Sequence, residues 1–301
     1  MSCFIESINA GALALREVRM KYNNMPKEVA SPIHLSKSAP YFGFIDIIID
    51  DCPPFVMFSC NDDFVAKNFF WNGADAYEPM SLRLWLRLAR ESSVIFDIGA
   101  YTGIYSLSAA SLNRKSKVFA FEALDTVYGR LHINKSSNNF GNIELRHVAL
   151  AEKEGEAEFS VYSGDSVLST GSSLVGKQAG RPVFQKKRVS TISLDGILAD
   201  SNISRLDLLK IDAEGAEYLI FEGGRKAFQK YKPDIICEFL KESRASEIEI
   251  MLSGMGYRYF HINERTMRVD PVEGIAVAED MDSLNTLITC KSVDQIQSML
   301  K

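Results

Sequence analysis

An α/β fold with a mostly parallel seven-stranded sheet and helices on both faces is predicted by three observations. From Val94 onward, seven apolar runs (VIFDIG, VFAFEA, NIELRHVAL, RLDLLKIDAEG, DIICEF, YRYFHI and NTLITC) alternate with helix-patterned stretches. Alternation at this spacing builds βα units whose sheet is covered on both faces. The first run ends in a carboxylate and leads through two glycines into a helical pattern, the strand–turn–helix arrangement of a ligand-binding α/β sheet. A chain of 301 residues with 46% hydrophobic and 24% charged residues can bury the core such a sheet needs.

Taken in order, residues 1–40 carry Pro26, Pro32 and Pro40 and no dominant period, which reads as a helical or irregular arm. YFGFIDIIIDDCPPFVMF, 41–58, is β-branched and aromatic on either side of Asp50-Asp51 and Pro53-Pro54, predicting two strands joined by a turn. EPMSLRLWLRLAR, 78–90, sets Leu82, Trp85, Leu86 and Ala89 against Arg83, Arg87 and Arg90, an amphipathic helix. Residues 155–193 have strand-like ends around a Ser/Gly-rich centre and read as a hairpin-like insertion facing a substrate. The division expected is an N-terminal extension or cap over 1–75 and a ligand-binding domain over 76–301.

Composition narrows the function. A net charge of −5 argues against a nucleic-acid partner, since the basic run Gln185-Lys186-Lys187-Arg188 is short. Cys3, Cys52, Cys60, Cys237 and Cys290 form no C-x-x-C pair, so neither a zinc ribbon nor a disulfide scaffold is expected. The run Gly11 to Leu15 is too short for a signal sequence or a membrane span, and a cytoplasmic protein without membrane insertion is expected. GSSLVGKQ, 171–178, approaches a phosphate-binding loop but has Gln178 where Ser or Thr should hold Mg²⁺.

The turn Asp97-Ile98-Gly99-Ala100-Tyr101-Thr102-Gly103 decides between cofactors. The dinucleotide fingerprint G-x-G-x-x-G uses its second glycine to admit a pyrophosphate, and that glycine is missing here. A cofactor with a ribose and an amino-acid tail fits better. Glu122 ends the next strand about 20 residues later, where a carboxylate can accept hydrogen bonds from both ribose hydroxyls.

VIFDIGAYTGIYSLSAA, VFAFEALDTVYGRLHINKSSNN, STISLDGIL, LDLLKIDAEGAEYLIFEGG and PDIICEF resemble, in order, the successive motifs of FkbM-type S-adenosylmethionine-dependent methyltransferases. AYEP, 76–79, resembles the segment before their first motif, and the likeness spans residues 75–262. It implies a Rossmann-like class I methyltransferase fold with S-adenosylmethionine as cofactor. It also implies an acceptor that is a small molecule or glycan, methylated on a sugar or natural-product hydroxyl by in-line displacement. Carried over, it implies that Asp97, Gly99, Ala100 and Gly103 line the methionine and ribose side. Glu122 would hold the ribose, Ala123 would lie near the adenine, Ala149 would close over the ring, and Glu78 would approach from the N-terminal side.

Asp212 and Glu214 sit where the fourth strand meets its helix, placed to align an acceptor, bind the cofactor's amino group or take a proton, and are the catalytic candidates. Glu217 reads instead as a helix-start carboxylate, and Lys210 as a partner for a neighbouring acid. Asp212, Glu214 and Glu238 end adjacent strands, but no ligand spacing is present and no metal is expected. His34, His132, His147 and His261 read as structural or surface residues. Two rival readings remain open at this point: a nicotinamide-dependent oxidoreductase, which the missing glycine opposes, and a non-catalytic module on the same sheet.

Overall fold

The computed structural model describes residues 2–21, 32–162, 168, 174, 183–201, 203–241, 243–275, 277 and 284–301. Within them the extension forms α1 (Ser2–Lys21), α2 (Pro32–Ser38), β1 (Phe42–Ile47), β2 (Phe55–Cys60) and α3 (Phe64–Asn72). Then follow α4 (Pro79–Ala89), β3 (Val94–Ile98), α5 (Ile104–Leu112), β4 (Lys117–Phe121), α6 (Asp125–Ser137), β5 (Ile143–Arg146), β6 (Ala149–Ala151), β7 (Gly155–Tyr162) and β8 (Val183–Ser193). The last third holds α7 (Leu194–Asp200), β9 (Leu208–Ile211), α8 (Glu217–Gly223), α9 (Arg225–Tyr231), β10 (Asp234–Glu238), α10 (Ala245–Leu252), β11 (Arg258–Asn263), β12 (Arg268–Val272), β13 (Asn285–Thr289) and α11 (Val293–Met299).

The main sheet runs β12-β11-β13-β10-β9-β3-β4-β5, parallel from β10 to β5 and antiparallel through β13, β11 and β12. It has eight strands rather than the seven expected, because RVDPV, 268–272, turns back on β11 as an edge strand. Pro271 within it is tolerated at a sheet edge, where one side of the strand has no ladder to complete. The run NIELRHVAL also divides. Ile143–Arg146 stays in the main sheet, and Ala149–Ala151 joins β8 and β7 in a separate three-stranded sheet. The strand-like ends of the 155–193 insertion pair as that sheet's antiparallel hairpin. Most of its Ser/Gly-rich centre, GSSLVGKQ included, lies outside the described residues apart from Leu168 and Leu174.

Two apolar layers cover the sheet. One joins Ile45, Met57 and Trp71 of the extension to Trp85, Leu107 and Leu131, so the extension and the sheet share a core. The other packs Phe96, Phe119 and Phe121 against α7, α8, α9 and α10. The extension is fastened by polar contacts as well. Asn134 on α6 and Asn138 just after it accept from the Phe58 and Val56 amides at 2.7 and 2.8 Å. Arg130 meets Asp62 with two bonds of 2.9 Å and also donates to Phe58 O. The edge of β2 that faces away from β1 is thereby satisfied by side chains, as buried backbone groups require.

The amphipathic helix predicted over 78–90 forms as α4, with Leu82, Trp85, Leu86 and Ala89 buried and Arg83 exposed. Its first amides find a distant acceptor: Glu264, from the turn between β11 and β12, takes the Met80 N–H at 2.7 Å and Ser81 N–H at 3.3 Å. A carboxylate at a helix start satisfies free N–H groups and complements the dipole. Among the described residues no helix is long and apolar enough to cross a membrane.

Candidate active site

The chain leaves β3 for β4 and β5 on one side and returns as β9 on the other, so strand order reverses at the carboxyl ends of β3 and β9. A crevice at such a point is where open α/β sheets bind ligands. Gly99 lies in it with φ +76°, and a Cβ there would stand 1.8 Å from the Asp212 carbonyl oxygen. The two strand ends approach as closely as they do only because this residue is glycine. Gly103 has φ +103° and starts α5. Between them Gly99 N and Ala100 N both donate to Phe121 O, at 3.1 and 2.9 Å, which pins the turn to the end of β4.

Asp97, 1% exposed, accepts from the Ser106 amide at 2.9 Å and from its hydroxyl. Burial pushes its carboxyl up to about 6, partly offset by Ser106 and by the charge of Lys210. It braces the turn from within. Glu122 faces the opposite side of the turn, accepting from Tyr101 N at 3.2 Å and Leu124 N at 2.8 Å. Burial raises it to about 7 against those backbone donors. A carboxylate offers about four acceptor positions, so Glu122 keeps acceptor capacity for an incoming hydroxyl beside its backbone donors.

Beyond Glu122, the Ala123 carbonyl lies 3.1 Å from His147 Nε2, whose ring stacks on Tyr128 at 4.6 Å. Ala149 opens β6 and is 8% exposed. Tyr101 has the left-handed φ of 48° and donates its hydroxyl to Leu168 O at 3.2 Å. Leu168 packs with Leu124 and Val127, so the 155–193 insertion reaches back over this end of the turn.

A second group of side chains is assembled by strand register. Lys210 lies opposite Asp97 on β3, and Glu238 opposite Asn285 on β13. Cys237 pairs with Ile211, so continuing the parallel ladder by one residue sets Asp212 beside Glu238. Residues two apart on a strand share a face, so Lys210 and Asp212 point the same way. Glu78 enters from the start of α4 in a left-handed conformation, φ 40°, and accepts from the Tyr105 hydroxyl and from Asn285 Nδ2. One oxygen from each of Glu78, Asp212 and Glu238 lies within 4.8 Å of the others.

This crowding governs the charges. Burial and then the neighbouring Asp212 drive Glu238 well above the usual carboxylate range. Asp212 is also raised by burial, against the pull of Lys210. Burial alone would lower the Lys210 ammonium, but Asp212, Glu78 and Glu238 more than offset it and raise it.

A profile of the methyltransferase FkbM domain matches residues 97–259, more than half of the chain. The chain belongs to the FkbM methyltransferase family. A hexuronic acid methyltransferase, AglP of Haloferax volcanii, is 27% identical over a match covering 49% of this chain and 56% of that protein. The AMB antimetabolite synthetase AmbE of Pseudomonas aeruginosa is 26% identical over 44% of this chain and 8% of its own length. The chain thus spans little more than half of one curated relative and a small part of the other. Among solved structures, a methyltransferase FkbM from Methylobacillus flagellatus KT aligns with 14% identity and a TM-score of 0.43, covering 75% of this chain and 55% of that one.

Within this FkbM chain, Asp97, Gly99, Ala100, Gly103, Glu122 and Ala123 sit together around one turn, and Asp212 comes to it through the Gly99 contact. Glu78 stands with Asp212 and Glu238. Glu214 occupies the tight turn after β9 with φ 52° and lies outside the three-carboxylate cluster, where Glu78 takes the place expected for it. Glu217 is fully buried and accepts from Ala213 N and Gly215 N at 3.1 Å, bracing that turn. Asn285 and the two tyrosines at Glu78 and Glu122 escape a sequence reading, since nothing near Asn285 marks a site and a left-handed tyrosine has no sequence signature.

Proposed function

We propose that this chain transfers a methyl group from S-adenosylmethionine to a hydroxyl of a sugar or related natural product. The observation that carries the reading is the placement, at one switch point, of a glycine turn flanked by Glu122 and a carboxylate cluster across the same strand ends. When bound, the cofactor supplies a methyl group already activated on a sulfonium. The chain's part is then alignment, exclusion of water and handling of one proton.

Glu122, at the end of β4 beside the glycine turn, fits a ribose hydroxyl through its remaining acceptor capacity. Asp97 and the Gly99–Gly103 turn shape the amino-acid end, with Ala100 giving its backbone to the approach. Ala123 and Ala149, small and close to His147, leave room for a flat ring. Glu78 and Asp212 place negative charge toward the cationic end of the cofactor, where an opposite charge favours binding. Asp212 is the residue we assign to the acceptor, and Glu214, at the mouth of the following turn, is its companion. No metal is assigned: the buried ammonium of Lys210 already serves the three carboxylates as a shared cation.

The sugar acceptor is supported by the resemblance to a hexuronic acid methyltransferase, and the acidic net charge of −5 does not favour a nucleic acid. The test is transfer of an isotope-labelled methyl group to a panel of uronic acids, neutral glycans, phenols and amines. Label on a sugar hydroxyl is expected. Label confined to amines would contradict the reading.

A further inference from the structure

Lys210 is the buried cation of the proposed site, and its contacts reach beyond the carboxylates to Asn285. It is 1% exposed in the middle of the sheet, with its Nζ 5.1 Å from the Tyr105 ring centroid. Its ammonium donates to Asn285 Oδ1 at 3.1 Å and stands 3.7 Å from Asp212 Oδ2. Asn285, itself 1% exposed, donates from Nδ2 to Glu78 Oε2 at 3.0 Å. An ammonium only donates and a carboxylate only accepts, so a single orientation of the amide serves both neighbours. Turned over, the amide would set NH₂ against NH₃⁺ and oxygen against a carboxylate. Positions 78, 210, 212 and 285 are thereby locked into one polar relay.

We propose that Lys210 and Asn285 are a positioning pair that holds Glu78 and Asp212 in place, with Lys210 as the counter-charge of Asp212, and so sets the affinity of the site for a cationic cofactor. The proposal rests on the reading of the site given above. The groups facing the relay are almost all acidic. Asp212 comes from β9, Glu238 from β10, Glu78 from the start of α4, Asp97 from β3 and Glu214 from the turn after β9. The Tyr77 and Tyr105 phenols, the Cys237 thiol and Glu264 also face it. Carboxylates this close cannot all ionise without a nearby cation, and Lys210 is the cation they face among the described residues. Remove its influence and Asp212 loses the charge that opposes its burial, so the cluster holds protons more tightly and presents less negative charge to the ligand.

The pair touches no reacting atom, so its signature is a changed pH profile. S-adenosylmethionine and S-adenosylhomocysteine binding to the full chain would be measured by calorimetry between pH 5.5 and 9. Wild type would be compared with Asn285→Asp, Lys210→Met and Lys210→Arg, with circular dichroism as the check on folding. Asn285→Asp has nearly the same shape, keeps a partner for Lys210 and removes the N–H given to Glu78. It should weaken binding at pH 7 by about tenfold and move the acid limb of the profile up by about one pH unit. Lys210→Met should move it further, and Lys210→Arg should restore it. If Lys210→Met fails to fold, the asparagine variant still decides the matter. Binding within twofold of wild type, with an unmoved profile, in Asn285→Asp would overturn the pair while leaving the cofactor reading intact. Failure of wild type to bind either compound would overturn both.

Discussion

The glycine turn and the carboxylate cluster sit a few ångströms apart, yet they are built by opposite means. The turn is local: Asp97, Gly99, Ala100 and Gly103 fall within seven consecutive positions, and Glu122 follows one βα unit later. The cluster is assembled from residues 78, 210, 212, 238 and 285 by the register of three strands and the entry of one helix. Local geometry is written in residue types, because only glycine takes φ +76° against a carbonyl without strain. Register is written in the pairing of distant segments, which no short stretch discloses.

The largest expected effect sharpens that contrast at its point of contact. Gly99→Ala would force a Cβ to 1.8 Å from Asp212 O in a left-handed conformation. It should cost about 3 kcal/mol or more in denaturant unfolding and abolish cofactor binding. Gly103→Ala meets instead the tip of Leu131 at 2.5 Å, which can swing away, and should cost less despite its φ. Equal losses for the two would break the claim that the strand ends meet through Gly99.

Next come the polar residues. Glu122→Ala removes the acceptor for a ribose hydroxyl and should weaken S-adenosylhomocysteine binding by about 100-fold, whereas unchanged affinity removes the ribose assignment. Asp212→Asn keeps the shape and loses the charge. With an acceptor in hand, turnover should fall by about 100-fold, and a near-normal rate would reduce Asp212 to scaffolding. Arg130→Ala leaves Asp62 and the Phe58 carbonyl without their partner at the seam between extension and sheet. A loss of about 2 kcal/mol in unfolding is expected, with cofactor affinity little changed.

The smallest effect is on pH. Glu122 and Asp97 have folded-state values raised to about 7 and about 6 from ordinary values of 4.5 and 3.8. A raised carboxyl contributes stability that is complete below its unfolded value and is lost as pH climbs through the folded one. The ligand-free protein should therefore melt at a lower temperature at pH 8 than at pH 5.5. Asp62 acts in a different window. Burial would raise it, but the hydrogen bonds and charge of Arg130 hold it below its usual value, so its share disappears only in stronger acid. A melting temperature that stays level from pH 5.5 to 8 would contradict the burial of the two site carboxyls.

The same contrast explains what the sequence could disclose. Alternating apolar runs carry the parallel half of the sheet, because strands buried on both faces must be apolar throughout. The edge hairpin through β12 leaves little trace in the sequence because RVDPV is polar, short and proline-bearing, as an edge strand tolerates. The break inside NIELRHVAL is invisible in composition, since both halves are strands, and only their partners differ. Asp212 is marked by its strand-to-helix boundary, whereas Asn285 opens a short buried strand with no such mark and gains its place from pairing with Glu238. Glu214 shares the boundary with Asp212, but the turn carries it outside the cluster and Glu78 stands there instead.

The central claim is that the turn and Glu122 bind an S-adenosyl cofactor, and it needs no acceptor to test. Thermal unfolding would be followed with S-adenosylmethionine, S-adenosylhomocysteine and NAD at about 100 times a typical dissociation constant. Binding to the folded state at that concentration adds about 2.7 kcal/mol, enough to raise the melting temperature by several degrees. The account predicts a rise with both S-adenosyl compounds that Glu122→Ala abolishes, and none with NAD. A rise with NAD alone, or no response to any of the three, would contradict it.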